Sequence, residues 1–401
     1  HFHLEHCSRS VPGGPATHRL EQIAGCVVER IGTHIGRPGR FLRDQPDLEA
    51  FTRQQQRQGA TGDAAAANTN IKGSCHVPIV EGRAKSSTLV APDFTKDPQM
   101  HPVQAPQREV SACISRLFVY PVKSCAGVEV QEAVLTETGL DLDRAWMVVD
   151  SQGEFVTQRE HPRLALVKPQ LKIHDLVLRA PGMLALHVNI DAVEQPATVK
   201  VWDDVVQAYD MGAIAAQWFT DFLSLTDAGL PSANAHKYRL VRFDPDCRRL
   251  SSMKWTKGVE SLNQFSDGFP LLVLSSSALD DLNARLNADG KAPVGIERFR
   301  PNIVLAGMQA HDEDRVDEMH IQTGDDTQEA VLRLVKPCKR CPIPDIDPAT
   351  SLSNHDVSDA MQGYRQNTLM DGAVTFGMNA IVITGVDEVL RVGQRVSADF
   401  S

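Results

Sequence analysis

The stretch Val331-Leu332-Arg333-Leu334-Val335-Lys336-Pro337-Cys338-Lys339-Arg340-Cys341-Pro342, followed by Pro344 and Asp345-Ile346-Asp347-Pro348, decides the class of fold. Val331–Val335 is short and aliphatic, so it reads as a strand. A redox pair of the thioredoxin kind would pass from such a strand into a helix. Pro337, Pro342, Pro344 and Pro348 argue against that helix, because proline lacks the N–H and turns its predecessor away from helical backbone. The spacing predicts instead a stiff, extended loop that aims a cysteine in a set direction. Lys336, Lys339 and Arg340 surround the two thiols, which favours a thiolate and an anionic ligand beside it. Such a thiolate serves as nucleophile, redox group or metal ligand, and a structural cysteine pair is the plain alternative. Zinc needs a second pair or nearby histidines, and neither accompanies this one.

Outward from this stretch the chain is mostly strands. Ile114–Val122, Val128–Leu135, Trp146–Val149, Leu164–Leu171, Thr198–Trp202 and Tyr238–Phe243 form one group; Pro270–Leu274, Asn302–Leu305, Val331–Val335, Ala380–Thr384 and Leu390–Val396 form a second. Many short strands with few helices predict sheets curled into barrels, in two β-rich halves divided near residue 236. Two helices are expected. One carries Ile214, Trp218, Phe222 and Leu225 as a core-facing stripe; the other carries Leu279, Leu282 and Leu286, with its cap in Ser277-Ala278-Leu279-Asp280.

The beginning of the chain is different. Gln54-Gln55-Gln56, Ala64-Ala65-Ala66-Ala67 and scattered Gly, Pro and Arg show no sustained period. Such text buries too little apolar surface to offset chain entropy, so residues 1–110 read as a disordered or non-native extension. Cys7, Cys26, Cys75 and His76 lack finger spacing.

Composition narrows the function classes. The 401 residues hold 42% hydrophobic and 23% charged residues, ordinary globular values. A formal charge of −10 argues against nucleic acid as a macromolecular partner. Eight dispersed cysteines make no disulfide framework, and neither a secretory signal nor a transmembrane segment is visible. A reduced cytoplasmic protein is the expectation. Phosphate-loop, dinucleotide and nucleophile-elbow motifs are missing. Cations do recur beside proline-fixed or strand-end backbone, at Lys123-Ser124, Arg144, Arg159 and Arg298-Phe299-Arg300. Arg and Lys on rigid elements suit anion recognition.

Six motifs now fall into a known order. YPVKSC (120–125), DRAW (143–146), TQREHPRL (157–164), SDGFPLLVLS (266–275), FRPNIVL (299–305) and the CKRC loop (338–341) with DPAT (347–350) resemble proteins that join an N-terminal MOSC β-barrel domain to a MOSC domain. The set is similar to that of the mitochondrial amidoxime-reducing component and its bacterial homologues, from about Ser115 to Val396. The resemblance implies a mainly β (α+β) fold, with the barrel-like domain over 111–235 and the MOSC domain, with a few helices, over 236–401. It implies a molybdenum–pyranopterin cofactor whose metal is held by Cys341, the catalytic residue. It assigns Lys123 and Ser124 to the pterin phosphate, Arg144 and Arg300 to the cofactor, and Asp267 and Gly268 to its edge. Lys339, Arg340 and Asn379 complete the lining, and Cys338 is expected to point away from the metal.

The implied activity is oxidoreductase chemistry on small N-hydroxylated compounds: hydroxylamines, amidoximes and N-hydroxylated bases. Neither a pyridoxal phosphate lysine domain nor an iron–sulfur domain is legible, and no cysteine follows Cys341, so electrons are expected from a separate donor protein. The alternative is a sulfur-carrier or cofactor-binding module with a persulfide on Cys341. Lys123, Arg144 and Arg300 are expected to converge on one cleft with Cys341.

No methionine precedes Met100. A chain starting there is expected to fold, bind cofactor and turn over normally, and loss of solubility or activity on truncation would contradict this reading.

Overall fold

The computed structural model describes residues 108–192, 194–224, 236–324 and 328–401. The expectations for residues 1–107 and for Leu225 lie outside the described residues. Seven strands close into a barrel. We number them β1 (Val110–Val119), β2 (Leu271–Ser275), β3 (Ile303–Ala306), β4 (Val316–Gln322), β5 (Glu329–Lys339), β6 (Ala373–Thr384) and β7 (Arg395–Phe400). Their order is β2-β3-β1-β7-β4-β5-β6, and β6 returns to β2 to close the ring. Only β2 and β3 run parallel, which requires a crossover.

Closure draws on both ends of the chain. β1 pairs with β3 on one side and β7 on the other, so the first strand lies within the barrel built otherwise from residues 271–400. Val128–Val130 pairs with β1, and Glu132–Thr136 pairs with Val389–Arg391. The division near residue 236 follows chain order, whereas strand pairing interleaves the two halves. A bulge between Ile114 and Arg116 shifts the alternation of β1. Val110, Ala112 and Ile114 face the barrel core before it, and Leu117 and Val119 after it. Phe118 and Tyr120 then point to a separate core with Leu282, Leu286 and Phe299.

The crossover helix is one of three helices among the described residues: α1 (Gly212–Leu223), α2 (Ser276–Ala288) and α3 (Asp356–Gln362). In α2 the cap is Ser275, two residues earlier than expected, because β2 runs directly into the helix and its last side chain accepts from Ala278 N. In α1 the buried stripe is Ala215, Trp218, Phe219, Phe222 and Leu223, while Ile214 is 80% exposed. Ile214 sits one position off a stripe that already meets the i, i+3, i+4, i+7 rule.

The rest of the N-terminal half, together with Arg239–Phe243 from beyond the division at residue 236, forms two small antiparallel sheets. One orders Trp146–Val149, Arg239–Phe243, Asp204–Asp210 and Gln195–Val201; the other holds Lys168–Leu171, Asp175–Arg179 and Leu186–Asn189. α1 shares their core through Phe219 and Phe222, against Trp146, Leu176 and Leu240. The expected strand Leu164–Leu171 instead starts as a 3-10 turn over Pro162–Leu166, since proline at its start presets the helical φ. β5 continues past its expected end through Pro337, which register irregularities on either side accommodate.

Glu313 reaches a small apolar space at the barrel end, beside Leu305, Met319 and Val396. It is fully buried, one carboxyl oxygen accepts from Ser275 N at 3.0 Å, and the other has no partner. Burial pushes this carboxyl above the usual range, against the Ser275 bond. The stability of the neutral form is therefore present below the ordinary carboxyl pKa of about 4.3 and is lost as pH rises through the folded value. Glu313→Gln should flatten that loss: its melting temperature should gain on the parent as pH rises from about 4 to 8. Parallel pH profiles would show that Glu313 stays ionised.

Candidate functional site

A cavity of about 400 Å³ opens between the barrel and the N-terminal half. The ten residues that the resemblance assigns all line it: Lys123, Ser124, Arg144, Asp267, Gly268, Arg300, Lys339, Arg340, Cys341 and Asn379; Arg298, also singled out in the sequence, does not. Thr157, Arg159, Trp202, Asn302, Lys336 and Cys338 line it too.

Four lining residues hold left-handed backbone without being glycine: Ser124 (φ 66°), Arg144 (51°), Trp202 (56°) and Arg300 (58°). Each such residue costs about 1–3 kcal/mol, and the surrounding bonds must over-determine it. Lys123 N donates to Trp146 O at 2.8 Å and Arg144 N to Tyr120 O at 2.8 Å, which fixes the turns on either side of β1's end. Arg300 closes the 3-10 turn Ile296–Phe299, with its N–H on Glu297 O at 3.2 Å.

Arg144 and Arg300 share one platform. Each guanidinium carbon lies 4.3 Å from the ring centroid of buried Tyr120. The ring leaves no room for a side chain at Gly127, whose Cβ would sit 2.5 Å from Tyr120 Cε1. Buried Asp143 accepts from Tyr120 N at 2.8 Å and pairs with Arg144. Asn302 Oδ1 accepts from Arg144 Nη1 at 3.0 Å and from Leu272 N at 3.1 Å, tying the arginine to β2. Arg300 Nη1 donates to Cys125 O at 2.6 Å. Burial, then the neighbouring Arg144 charge, brings Arg300 down to about 10.

Lys123 is buried, and its Nζ donates to Phe265 O at 2.8 Å and to Asp267 Oδ1. Burial lowers its pKa while Asp267 opposes the shift. For Asp267, burial is outweighed by Lys123, Arg144 and the Trp202 indole, which hold the carboxyl below the usual range. Arg249, itself buried, clamps the segment that carries Asp267. Its guanidinium donates to Asn263 Oδ1 (2.6 Å), Gln264 O (2.7 Å), Ser266 O (2.6 Å) and Asp267 O (3.3 Å), and its Nε to Asp204 Oδ2 (2.8 Å).

The two cysteines occupy different backbone. Cys338 is on β5, and Cys341 follows on the loop. Cys338 lines the cavity as Cys341 does, and Arg340 Nη1 donates to its Sγ at 3.1 Å. Arg340 Nη2 donates to Phe299 O at 2.9 Å, while its buried Nε has no partner. Arg298 holds the loop after Cys341, bonding Pro344 O at 3.1 Å and Asp347 Oδ2 at 3.2 Å.

Seven cations line the cavity (Lys123, Arg144, Arg159, Arg300, Lys336, Lys339 and Arg340) against one carboxylate, Asp267. Lys123 and Arg144 have carboxylate partners; among the described residues the other five have none. Among the described residues no three His, Cys, Asp or Glu side chains assemble a metal site. The arrangement therefore suits a polyanionic ligand, and it suits a metal only where a non-protein group supplies most of the ligands.

Sequence reasoning missed Asp143, Asn302, Arg249 and Trp202. Asp143 and Asn302 stand inside quoted motifs and were passed over beside more obvious cations. Arg249 bonds chiefly to main-chain carbonyls, which leave no signature in residue types.

Family models match the chain twice: the MOSC N-terminal beta barrel domain over residues 111–226 and the MOSC domain over residues 261–397. The chain is 34% identical over 261 residues to Mitochondrial amidoxime reducing component 2 of Bos taurus, covering 63% of this chain and 72% of that one. It is 30% identical over 356 residues to the protein of the same name from Rattus norvegicus, covering 84% and 98%. Molybdenum cofactor sulfurase of Bos taurus is 31% identical over 280 residues, which is 65% of this chain and only 30% of the sulfurase.

Removing the Arg249 clamp has a size that burial sets. Arg249→Met leaves three carbonyls without this donor and the Asn263 amide oxygen with only the Ser266 hydroxyl, so it should cost about 3 kcal/mol or more in denaturant unfolding. Asp204 is 53% exposed, and Asp204→Asn should cost under about 1 kcal/mol. Equal losses for the two would show that the Arg249–Asp204 ion pair, and not the carbonyl clamp, carries the stability.

Proposed function

Because the chain belongs to the MOSC family, in the form that joins the N-terminal β-barrel domain to the MOSC domain, we propose that it is a molybdenum-cofactor-dependent reductase of N-hydroxylated compounds, namely hydroxylamines, amidoximes and N-hydroxylated bases. The observation that carries this reading is a loop cysteine lining a cavity in which four cations, Arg300, Lys336, Lys339 and Arg340, lack a carboxylate partner, with no protein-only metal set among the described residues. A pyranopterin fits both properties, since its phosphate is anionic and its dithiolene supplies sulfur ligands.

On this reading Cys341 ligates the metal, because thiolates suit a soft, high-valent site. Lys123, Ser124, Arg144 and Arg300 hold the phosphate, with Arg300 gaining most, since an anion offsets both its burial and the Arg144 charge. Asp267, Gly268 and Asn379 line the pterin edge, and Asn379 is oriented by its bond to Lys336 O at 3.1 Å. Lys339 and Arg340 flank the metal cysteine, and the free Nε of Arg340 is a spare donor there. When bound, the cofactor supplies two-electron reduction of the N–O bond.

The chain's own contribution is to hold and orient. Phe299, Phe269 and Leu272 give the cavity apolar wall, which keeps bulk water from the reacting atoms. No histidine lines the cavity, and Asp267 is held ionised beside Lys123, so neither is a proton donor at neutral pH. Protons then come from water at the mouth. Electrons come from a separate donor protein. The described cysteines are free thiols. No helix among the described residues is long and apolar enough to cross a membrane.

Elemental analysis with pterin release tests the reading: about one molybdenum per chain is expected, whereas sulfane sulfur on Cys341 without molybdenum would favour the carrier alternative. Cys341→Ser should lower molybdenum content and hydroxylamine reduction by at least about 100-fold with the fold intact. Cys338→Ser should keep the metal and most of the activity, since on this reading its thiol anchors Arg340 and does not ligate. The reverse pattern would move the ligand to Cys338, and no change in either variant would remove the molybdenum reading.

A further inference from the structure

Arg159 lines the same cavity and has no part in holding the cofactor on that reading. Its guanidinium is already fixed on two sides. Nε donates to Thr157 Oγ1 at 3.2 Å, and the Arg159 backbone N–H reaches the same oxygen at 3.2 Å. Its Cζ lies 4.6 Å from the centroid of Trp202. The nearby Glu160 carboxylate is occupied by Thr157, taking its N–H and its hydroxyl at 3.2 Å each. The terminal nitrogens of Arg159 have no hydrogen-bond partner among the described residues, although the cavity is open to them.

Trp202 is likewise held in place: Phe155 packs 5.0 Å from its ring, and its Nε1 donates to Asp267 Oδ1 at 3.4 Å. At 41% exposure Trp202 marks the solvent side of the cavity, as does the Asp267 side chain at 73%. Lys123, Arg144 and Arg300 are linked through Tyr120, Asp143 and Asp267; among the described residues Arg159 has no hydrogen bond to these groups and meets them through Trp202, whose indole bonds Asp267. A half-buried guanidinium with both terminal nitrogens free and its rotamer set is preorganised for the two oxygens of an anion.

We propose that Arg159, backed by Trp202, is a substrate-side anion subsite, taking the carboxylate or phosphate carried by an N-hydroxylated substrate. This rests on the reductase reading for the identity of the substrate, but not for the binding of the anion.

The test uses molybdenum-loaded protein with reduced methyl viologen as electron source. Benzamidoxime, 4-carboxybenzamidoxime and the 4-phosphonate analogue are compared in the parent, Arg159→Gln and Arg159→Lys. The parent should favour at least one anionic substrate in kcat/KM by about tenfold, through KM and not kcat, and whichever analogue gains identifies the anion. Arg159→Gln should erase that preference with metal and pterin content unchanged and benzamidoxime turnover intact; Arg159→Lys should restore part of it. No preference in the parent, a preference that survives Arg159→Gln, or loss of cofactor from that variant would each overturn the proposal. An activity-free readout separates it from the parent reading. Benzoate and phenylphosphonate should quench the fluorescence component that Trp202→Phe removes, and Arg159→Gln should abolish that quenching. If the parent reduces none of the three substrates, the reductase reading falls while the quenching still decides the subsite.

Discussion

Like-charge repulsion inside a half-buried cavity is the constraint on which the site depends. Arg144 and Arg300 lie over one Tyr120 ring, and Lys123, which is buried, and Arg340 line the same cavity. Isolated charges in such surroundings would relax toward water or lose protons. The fold prevents relaxation with one buried carboxylate, Asp143, one ion pair, Lys123–Asp267, and a set of carbonyl and amide acceptors that includes Asn302 and Cys125. These partners hold positions more than they neutralise charge. The net result is a fixed positive interior in a chain whose formal charge is −10. A field concentrated this way draws a polyanion to one place and disfavours adventitious association elsewhere.

Barrel closure keeps that arrangement rigid. β1 enters between β3 and β7, and the residues after its end bring Lys123 and Ser124 to the cavity and set Tyr120 beneath Arg144 and Arg300. The left-handed turns at Ser124, Arg144 and Arg300 reverse the chain where a regular strand would carry the side chains past the site. Such conformations persist because buried bonds on both sides leave the backbone no alternative. Since β1 belongs to the barrel, the turn that carries Lys123 and Ser124 is anchored at one end in the closed sheet.

Charge and strain converge again at the cysteine loop. Arg340 reaches back to Cys338 and Phe299, while Arg298 fixes the loop beyond Cys341 through Pro344 and Asp347. A single 3-10 turn, Ile296–Phe299, therefore sends one arginine to the loop and the next, Arg300, to the Tyr120 platform. Of these two arginines only Arg300 lines the cavity; Arg298 acts through the loop that carries Cys341.

Much of this was legible in the residues. Alternating short strands, the prolines after Cys338 and the absence of nucleotide motifs identified a β-rich chain with a thiol on a stiff loop, because backbone chemistry is local. The ten candidate residues were also legible, since cations beside proline or strand ends are conspicuous and the ordered motifs resemble one family. Long-range partnership was not legible. β1 could not be assigned to a barrel made of residues 271–400, because register depends on which edges remain open. Ile214 could not be told from Ala215 as the buried position, because both lie near the apolar stripe and only the neighbouring sheet selects between them. Arg249 had no signature, its acceptors being main-chain carbonyls that every residue carries. Residue types alone determined what kinds of group this protein can bring to a site; tertiary structure decided which of them meet, because burial, register and hydrogen-bond geometry exist only once the barrel has closed.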